Sequence, residues 1–292
     1  MKNLEIGLEV ASNIRALAMR AVKAFSSSQS AYYIARERIV CPVDYMRYAE
    51  FEAILGDLEL NSRMTILDVS SPQWLSLYLA NKYPNSEFHY INIIDRELNS
   101  FTDIAKALGI KNIRYGKEDV RDMQFGVNTF DRVISISVIE HIYPEDGGDL
   151  KALREIHRVL KPGGEFLFTV PYKSKSDIVY MDGAVYERIE NKRNFFAREY
   201  DQEMFNKLIE KSGFSLMGSW FIGERSGIFP LDYYEWGPGK DAFFAKIFIS
   251  CKRLLERIRR KALDEILARR YLRVSREITG RLVNISARLA KN

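Results

Sequence analysis

Residues 64–80 read MTILDVSSPQWLSLYLA, an apolar run followed by a short polar turn and a second apolar segment. The first run has the length and apolar content of a buried strand, and the segment after Pro72 has those of a helix. A strand that enters a helix through a tight turn is the unit from which nucleotide-binding sheets are built. This turn, however, has serine and proline where such turns usually have glycine.

The alternation of strand and helix continues beyond this unit. Four more short apolar runs follow, separated by segments with helical periodicity: EFHYINI (87–93), NIRY (112–115), TFDRVISIS (129–137) and EFLFTV (165–170). Because buried strands that alternate with helices form parallel sheets, this pattern predicts an α/β fold with a doubly wound sheet.

Composition divides the chain of 292 residues into three expected regions. Residues 1–60, with helices expected at 4–25 and 45–58, form an N-terminal helical cap, and residues 61–225 form the sheet core. Residues 226–292 form a basic extension. From Cys251 onward the chain has thirteen Lys and Arg but four Asp and Glu, whereas the rest of the chain has 31 basic and 35 acidic residues.

The apolar residues of this extension recur at steps of three and four, which predicts a nearly straight basic helix. They are Leu263, Leu267, Tyr271, Val274, Ile278, Leu282, Ile285 and Leu289. Three roles stay open for residues 242–292: peripheral contact with an anionic membrane, pairing in a homodimer, or packing on the core. No RNA-binding motif indicates a nucleic-acid partner.

Cysteine content and hydropathy indicate where the protein functions. The two cysteines, Cys41 and Cys251, stand in unrelated contexts, so neither a disulfide framework nor a metal site is expected. No apolar run of 18 residues and no signal-peptide pattern occurs. We therefore expect a cytoplasmic protein, peripheral to a membrane if its tail binds lipid.

Three acidic residues follow the first three predicted strands: Asp68, Asp95 and Asp119. Any one of them is explained as a helix cap or a solvated loop carboxylate. Ligands of doubly wound sheets bind at the carboxyl ends of the strands, and three acids in register there predict a ligand site. No GxGxxG motif follows any strand, which argues against a dinucleotide.

Several blocks together resemble the class I S-adenosylmethionine-dependent methyltransferases, most closely those of type 11. The blocks are ILDVSSPQW (66–74), INIID (91–95), EDV (118–120), TFDRVISISVIEHI (129–142) and LREIHRVLKPGGEFLFTVPY (153–172). The resemblance covers residues 64–223. It implies a Rossmann-like sheet of seven strands, flanked here by the helical cap and the basic helices, and an enzyme that uses S-adenosylmethionine.

The resemblance also implies roles for individual residues. Cofactor contacts are implied for Asp68, Ser70, Ser71, Pro72, Asp95, Asp119, Val120 and Ser135. Asp95 would hold the ribose hydroxyls, Asp119 the adenine amino group, and Val120 would pack on the ring. Glu140 and His141 are the implied catalytic residues, and no metal is implied. His141 is either the base for a hydroxyl acceptor or a packed structural histidine.

The turn departs from the family pattern DxGxGxG, because Ser70, Pro72 and Trp74 stand at the glycine positions. Glycine suits such turns since it adopts positive φ without strain. Two functions therefore remain open. The chain either methylates a small-molecule, sugar or lipid-linked acceptor, or it is a catalytically inactive scaffold that acts through its basic C-terminal helix at a membrane or in an assembly.

Overall fold

The computed structural model describes residues 2–27, 29–94, 98–186, 192–225 and 263–292. The helices within these ranges are α1 (Glu5–Val22), α2 (Ser30–Val40), α3 (Arg47–Leu55), α4 (Gln73–Lys82), α5 (Leu98–Ala107), α6 (Gly148–Val159), α7 (Gln202–Ser212) and α8 (Leu263–Tyr271). The strands are β1 (Thr65–Val69), β2 (Glu87–Asn92), β3 (Ile113–Lys117), β4 (Phe130–Ile136), β5 (Leu160–Pro171), β6 (Asp177–Asp182), β7 (Arg193–Glu199), β8 (Ser215–Glu224), β9 (Leu272–Ser275) and β10 (Arg281–Ala290). None of the described helices is long and apolar enough to cross a membrane.

The central sheet has eight strands in the order β3-β2-β1-β4-β5-β10-β8-β9. The first five are parallel, and β10 runs antiparallel between β5 and β8. Strands β6 and β7 form a separate hairpin. The predicted doubly wound, Rossmann-like sheet is confirmed, with eight strands rather than seven.

Both faces of the sheet are covered, as the apolar strands require. Successive residues of β1 point to opposite faces, so that Ile66 packs with the cap helices α1 and α3 while Leu67 packs with α6 and α7. Helix α1 buries a stripe that includes Val10, Ile14 and Leu17. The cap is therefore part of the main core and lies beside the carboxyl end of β1.

The prediction of one long C-terminal helix is wrong for residues 272–290. Helix α8 ends at Tyr271, and β9 and β10 follow it. A spacing of four residues fits a strand as well as a helix because four is a multiple of two, and Ile285-Ser-Ala-Arg-Leu289 alternates as a strand does. Ile285 is 2% exposed in β10, whereas Ile278 is 58% exposed. The part of the prediction that concerns 242–262 lies outside the described residues.

Candidate active site

The carboxyl ends of β1, β2 and β4 and the loop after β3 surround a cavity of about 330 Å³, here called the cofactor cleft. Its walls combine polar groups of the first turn with apolar side chains from the neighbouring loops. The lining residues that matter below are Ser70, Ile94, Asp119, Val120, Ser137, His141 and Ile142. Sequence-predicted residues from three separate blocks thus meet at one place.

Ser70 has the backbone conformation that glycine usually provides at this position. Its φ is +55°, in the left-handed region. The backbone N–H and the hydroxyl of Ser70 both donate to the carbonyl oxygen of Ile91, at 2.9 Å each. These bonds tie the turn to β2 and offset the modest strain that a side chain has in this conformation. The turn keeps its shape without glycine.

Asp68 and Ser71 hold the turn from beneath and are buried. The carboxylate of Asp68 accepts from the Ser71 N–H at 2.9 Å and from the hydroxyl of Ser76. Burial raises the pKa of Asp68 to about 6. The hydroxyl of Ser71 accepts from the backbone N–H of Ile136 at 3.1 Å. The structure therefore places both side chains as internal supports of the turn.

A second cavity, of about 310 Å³, lies between the turn and the N-terminal cap. Its lining includes Ser71, Pro72, Trp74 and Arg47. Pro72 is the N-cap of α4. The indole Nε1–H of Trp74 is buried and has no hydrogen-bond partner in the described part of the chain. An unpaired buried donor beside a cavity is a ready contact for an anionic or carbonyl group.

Asp119 lines the cofactor cleft but already has a strong partner. The guanidinium of Arg121 donates to both of its carboxylate oxygens, with Nε at 3.0 and 3.1 Å and Nη2 at 2.5 Å. These bonds hold the pKa of Asp119 below its usual range. Val120, 6% exposed, contributes an apolar wall beside it. Asp95 lies outside the described residues.

Ser135 is not at the cleft. It is fully buried within β4, and its hydroxyl donates to the carbonyl oxygen of Val69 at 3.1 Å. Ser137, two residues later, lines the cleft and has a φ of +52°. Its hydroxyl donates to Glu50 at 2.5 Å. The structure thus brings Ser137, rather than Ser135, to the cavity.

Glu140 and His141 lie in the short helix after β4, residues Ile139–His141. Nδ1 of His141 is 2.7 Å from the carbonyl oxygen of Phe196, and the ring lies against the aromatic rings of Phe196 and Tyr186. Burial lowers the pKa of His141 to about 4. Since a carbonyl only accepts, Nδ1 carries the proton and Nε2 of the neutral ring has a lone pair.

Glu140 is more deeply buried than its neighbour, at 2% exposure. Burial raises the pKa of its carboxyl to about 8. Oε1 lies 3.7 Å from Nε2 of His141, beyond hydrogen-bond distance, and Oε2 has no partner in the described structure. At neutral pH this carboxyl is therefore mainly protonated, so that His141 has no anion beside it.

Arg198 of β7 supports the loop that carries Glu140 and His141. The guanidinium is fully buried and lies 3.4 Å from Oδ2 of Asp149. It donates to four carbonyl oxygens of that loop, those of Glu140, Ile142, Pro144 and Glu145. A guanidinium that is fully buried, lies beside an aspartate and donates to four internal carbonyls is a structural element rather than a substrate contact.

A buried carboxylate on the cap, Glu50, joins the turns after β4 to the rest of the sheet. It accepts from the side chains of Ser137, Thr169 and Asn284 through Oε1 and from Arg47 through Oε2. A third cavity, of about 300 Å³, lies beside it and shares Ser137 with the cofactor cleft and Arg47 with the second cavity. The three cavities therefore meet around Arg47 and Ser137.

The sequence did not reveal this group of site residues. Positive φ at Ser137 has no signature in a run such as ISISVIE, and the partnership of Glu50 with Asn284 joins distant segments. One signal was available: Glu50 stands in YAEFEAIL, where apolar residues surround the helix and predict a buried acid. A buried acid needs partners, which makes it a candidate for a structural or functional site.

Comparisons with known proteins agree with this geometry. A family model described as a methyltransferase domain matches residues 67–168. No curated protein matches the chain. A Bacillus halodurans protein named as a candidate methyltransferase is 17% identical with a TM-score of 0.51, and the match covers 82% of this chain and 96% of that one.

A second solved structure, the [4+2]-cyclase SpnF, is 15% identical with a TM-score of 0.50, over 99% of this chain and 96% of that one. At these identities the two structures establish the fold alone. The family match and the arrangement of turn, acidic loop and fourth-strand loop establish more. Residues 67–168 form a methyltransferase domain, as the resemblance to the class I methyltransferases of type 11 implies.

Proposed function

We propose that this enzyme transfers the methyl group of S-adenosylmethionine to a nucleophilic atom of a small-molecule, sugar or lipid-linked acceptor. The observation that supports this proposal is the cofactor cleft, where Ser70, Asp119, Val120 and His141 line one cavity of about 330 Å³. Small-ligand pockets typically enclose about 300 to 1,000 Å³. When bound, the cofactor supplies an electrophilic methyl group on a sulfonium.

The residues of the cleft fit the nucleoside end of this cofactor. Ile94, Val120 and Ile142 line it with apolar side chains suited to a flat adenine ring. Asp119 is the acceptor for the adenine amino group, and Arg121 keeps it ionised. The role of Asp95 at the ribose rests on the family resemblance.

The methionine end needs other donors, because the hydroxyls of Ser70 and Ser71 already bond within the protein. Two donors lie around the neighbouring cavity: the unpaired indole N–H of Trp74 and the guanidinium of Arg47. Arg47 donates to Glu50 through Nη1, so that other N–H groups of the same guanidinium remain available to a ligand. We assign these two side chains to the cofactor carboxylate.

His141 is the base for an acceptor that must lose a proton. Its Nδ1–H is held by the carbonyl of Phe196, so Nε2 is positioned to accept a proton from a hydroxyl. The low pKa makes His141 a weak base but keeps it neutral at physiological pH. Methyl transfer is an in-line displacement, for which alignment of the reactants contributes most.

The inactive-scaffold alternative lacks support. The first observation behind it was the glycine-free turn, yet Ser70 has the positive φ that this turn requires. The second was the predicted amphipathic basic helix, but residues 272–275 and 281–290 are strands of the sheet. For residues 272–290, the same finding removes the basis for membrane contact and for a homodimer.

A methyl-transfer assay tests the proposal. The chain is incubated with S-adenosylmethionine labelled in its methyl group and with hydroxyl-bearing small molecules, sugars and lipid-linked sugars. We expect label in one class, with His141→Gln lowering kcat by about 10² to 10⁴ for a hydroxyl acceptor. His157→Gln is the matched control, since His157 packs on Phe214 away from the cleft. Failure to label any of the three classes, in a chain that binds the cofactor, would contradict the proposal.

A further inference from the structure

A fourth cavity, of about 260 Å³, lies at the β9 edge of the sheet and shares no lining residue with the three cavities above. The start of the chain, β8, α8 and β9 enclose it. Its lining residues are Lys2, Asn3, Leu4, Leu8, Arg225, Arg269, Leu272 and Arg273. Four of these eight side chains are cationic and none is acidic.

Two of the four cations lack an acidic partner within the described part of the chain. Lys2 is 3.6 Å from Asp57, and Arg269 is 3.0 Å from Glu265. Arg225 and Arg273 form no ion pair with any described acidic residue. The cavity therefore has an excess of about two positive charges, which is unfavourable unless an anion or solvent screens it.

Hydrogen bonds fix the main chain at Lys2 and Arg225 and the guanidinium of Arg273. The N–H of Lys2 donates to the carbonyl of Val274 at 2.8 Å, and that of Arg225 donates to Tyr271 at 2.9 Å. The guanidinium of Arg273 donates to three carbonyl oxygens at the end of α8, those of Arg269, Arg270 and Leu272. Burial and the nearby charge of Arg225 lower the pKa of Arg273. The guanidinium of Arg273 is thus held in place before any ligand arrives.

The rest of the lining is apolar. Leu4 and Leu272 are 4% and 1% exposed, and Leu8 packs beside them. A ligand that matches this cavity has a compact anionic head and an apolar group attached to it. Guanidinium groups bind phosphate oxygens in pairs, and a phosphate monoester has close to two negative charges at neutral pH.

We propose that this cavity binds the phosphate group of a phosphate ester, at a site separate from the methyl-transfer cleft. The ester is either a free molecule or the headgroup of an anionic lipid, since both present the same phosphate chemistry. Arg225 is its principal contact, Arg273 adds the N–H groups that its three carbonyl partners leave free, and Leu4, Leu8 and Leu272 lie beneath its apolar part.

Titration of the full chain at 150 mM salt tests the site, with three probes: inorganic phosphate, dihexanoyl phosphatidic acid, and vesicles of phosphatidylcholine with phosphatidic acid. We expect Arg225→Gln to weaken binding of the phosphate probe at least tenfold. Arg225 is chosen because it is exposed and caps no helix. Arg36→Gln, on the exposed side of α2, is the matched control and should bind as the wild type does. Affinity for S-adenosylhomocysteine should stay unchanged in both variants.

Binding of the soluble ester but not of vesicles would support a free phosphate ester as the ligand, and preferential binding of vesicles would support a lipid headgroup. Either result, if sensitive to Arg225→Gln, supports the site. Absence of binding to all three probes would overturn it. Equal binding by Arg225→Gln and Arg36→Gln would overturn it as well.

Discussion

Oε1 of Glu50 accepts a hydrogen bond of 2.9 Å from the side-chain amide of Asn284, although 234 residues separate them in the chain. The same oxygen accepts from Ser137 and Thr169 at 2.5 and 2.8 Å. One buried carboxylate thus connects the N-terminal cap, the loop after β4, and strands β5 and β10. The C-terminal strand is therefore a structural part of the site.

Loss of this carboxylate should destabilise the fold strongly. Glu50→Ala leaves Arg47 without its ion-pair partner and three polar side chains without their common acceptor, and we expect a loss of about 3 to 5 kcal/mol in the free energy of unfolding. Asn284→Ala should cost about 1 to 2 kcal/mol. Urea unfolding measures both. Asn206→Ala, at an exposed position of α7, is the control. If Asn284→Ala lowers the free energy of unfolding no more than this control does, the bond between Asn284 and Glu50 does not stabilise the fold.

A pair of isoleucines distinguishes the strand from the predicted helix. In one amphipathic helix Ile278 and Ile285 would share the buried stripe, but in the structure they are 58% and 2% exposed. Ile285→Ala should lower the free energy of unfolding by about 2 to 4 kcal/mol. Ile278→Ala should change it by less than about 0.5 kcal/mol. Equal effects in urea unfolding would favour the helix.

The sequence predicts the sheet well because its signals are local. Short apolar runs, and the LKPGG segment after α6, define where strands and helices begin and end. The C-terminal strands escaped prediction because steps of three and four residues fitted a helix throughout, whereas only the alternation near Ile285 indicated a strand. Ser137 was missed because its positive φ, just after the end of β4, has no signature in the sequence.

The serine turn has its own test. Ser70→Gly relieves the strain of positive φ but loses the hydroxyl bond to Ile91, so its melting temperature should stay close to that of the wild type. Ser70→Val places a β-branched side chain in the left-handed region and should cost more than about 1 kcal/mol. Calorimetric unfolding gives both values. A Ser70→Val protein as stable as Ser70→Gly would contradict the observed turn.

Glu140 predicts a pH dependence of stability. Its folded pKa of about 8 exceeds the ordinary value of 4.5, so between these values the folded state holds a proton that the unfolded state has lost. Stability should therefore fall as pH rises, by up to about 1.4 kcal/mol per pH unit. Asp68 titrates near pH 6 in the folded state, and His141 has its ordinary pKa of 6.5 in the unfolded chain, so that above about pH 7 Glu140 dominates among these three groups.

Glu140→Gln cannot ionise and should remove this decline. In urea unfolding at pH 6.5, 7.2 and 8, the free energy of unfolding of the variant should increase relative to that of the wild type as pH rises. Parallel pH profiles for the two proteins would mean that Glu140 is ionised in the folded state.

The central claim is that the cofactor binds in the cleft at the carboxyl ends of β1 to β4. Isothermal titration with S-adenosylhomocysteine tests it most directly, on the wild type and on two variants with cooperative unfolding. Val120→Glu puts a charge into the apolar wall, and Val127→Glu puts the same charge at a side chain that is 65% exposed. We predict one ligand per chain, at least tenfold weaker binding by Val120→Glu, and unchanged binding by Val127→Glu. No binding to the folded wild type at millimolar ligand, or equal affinity in all three proteins, would contradict the account.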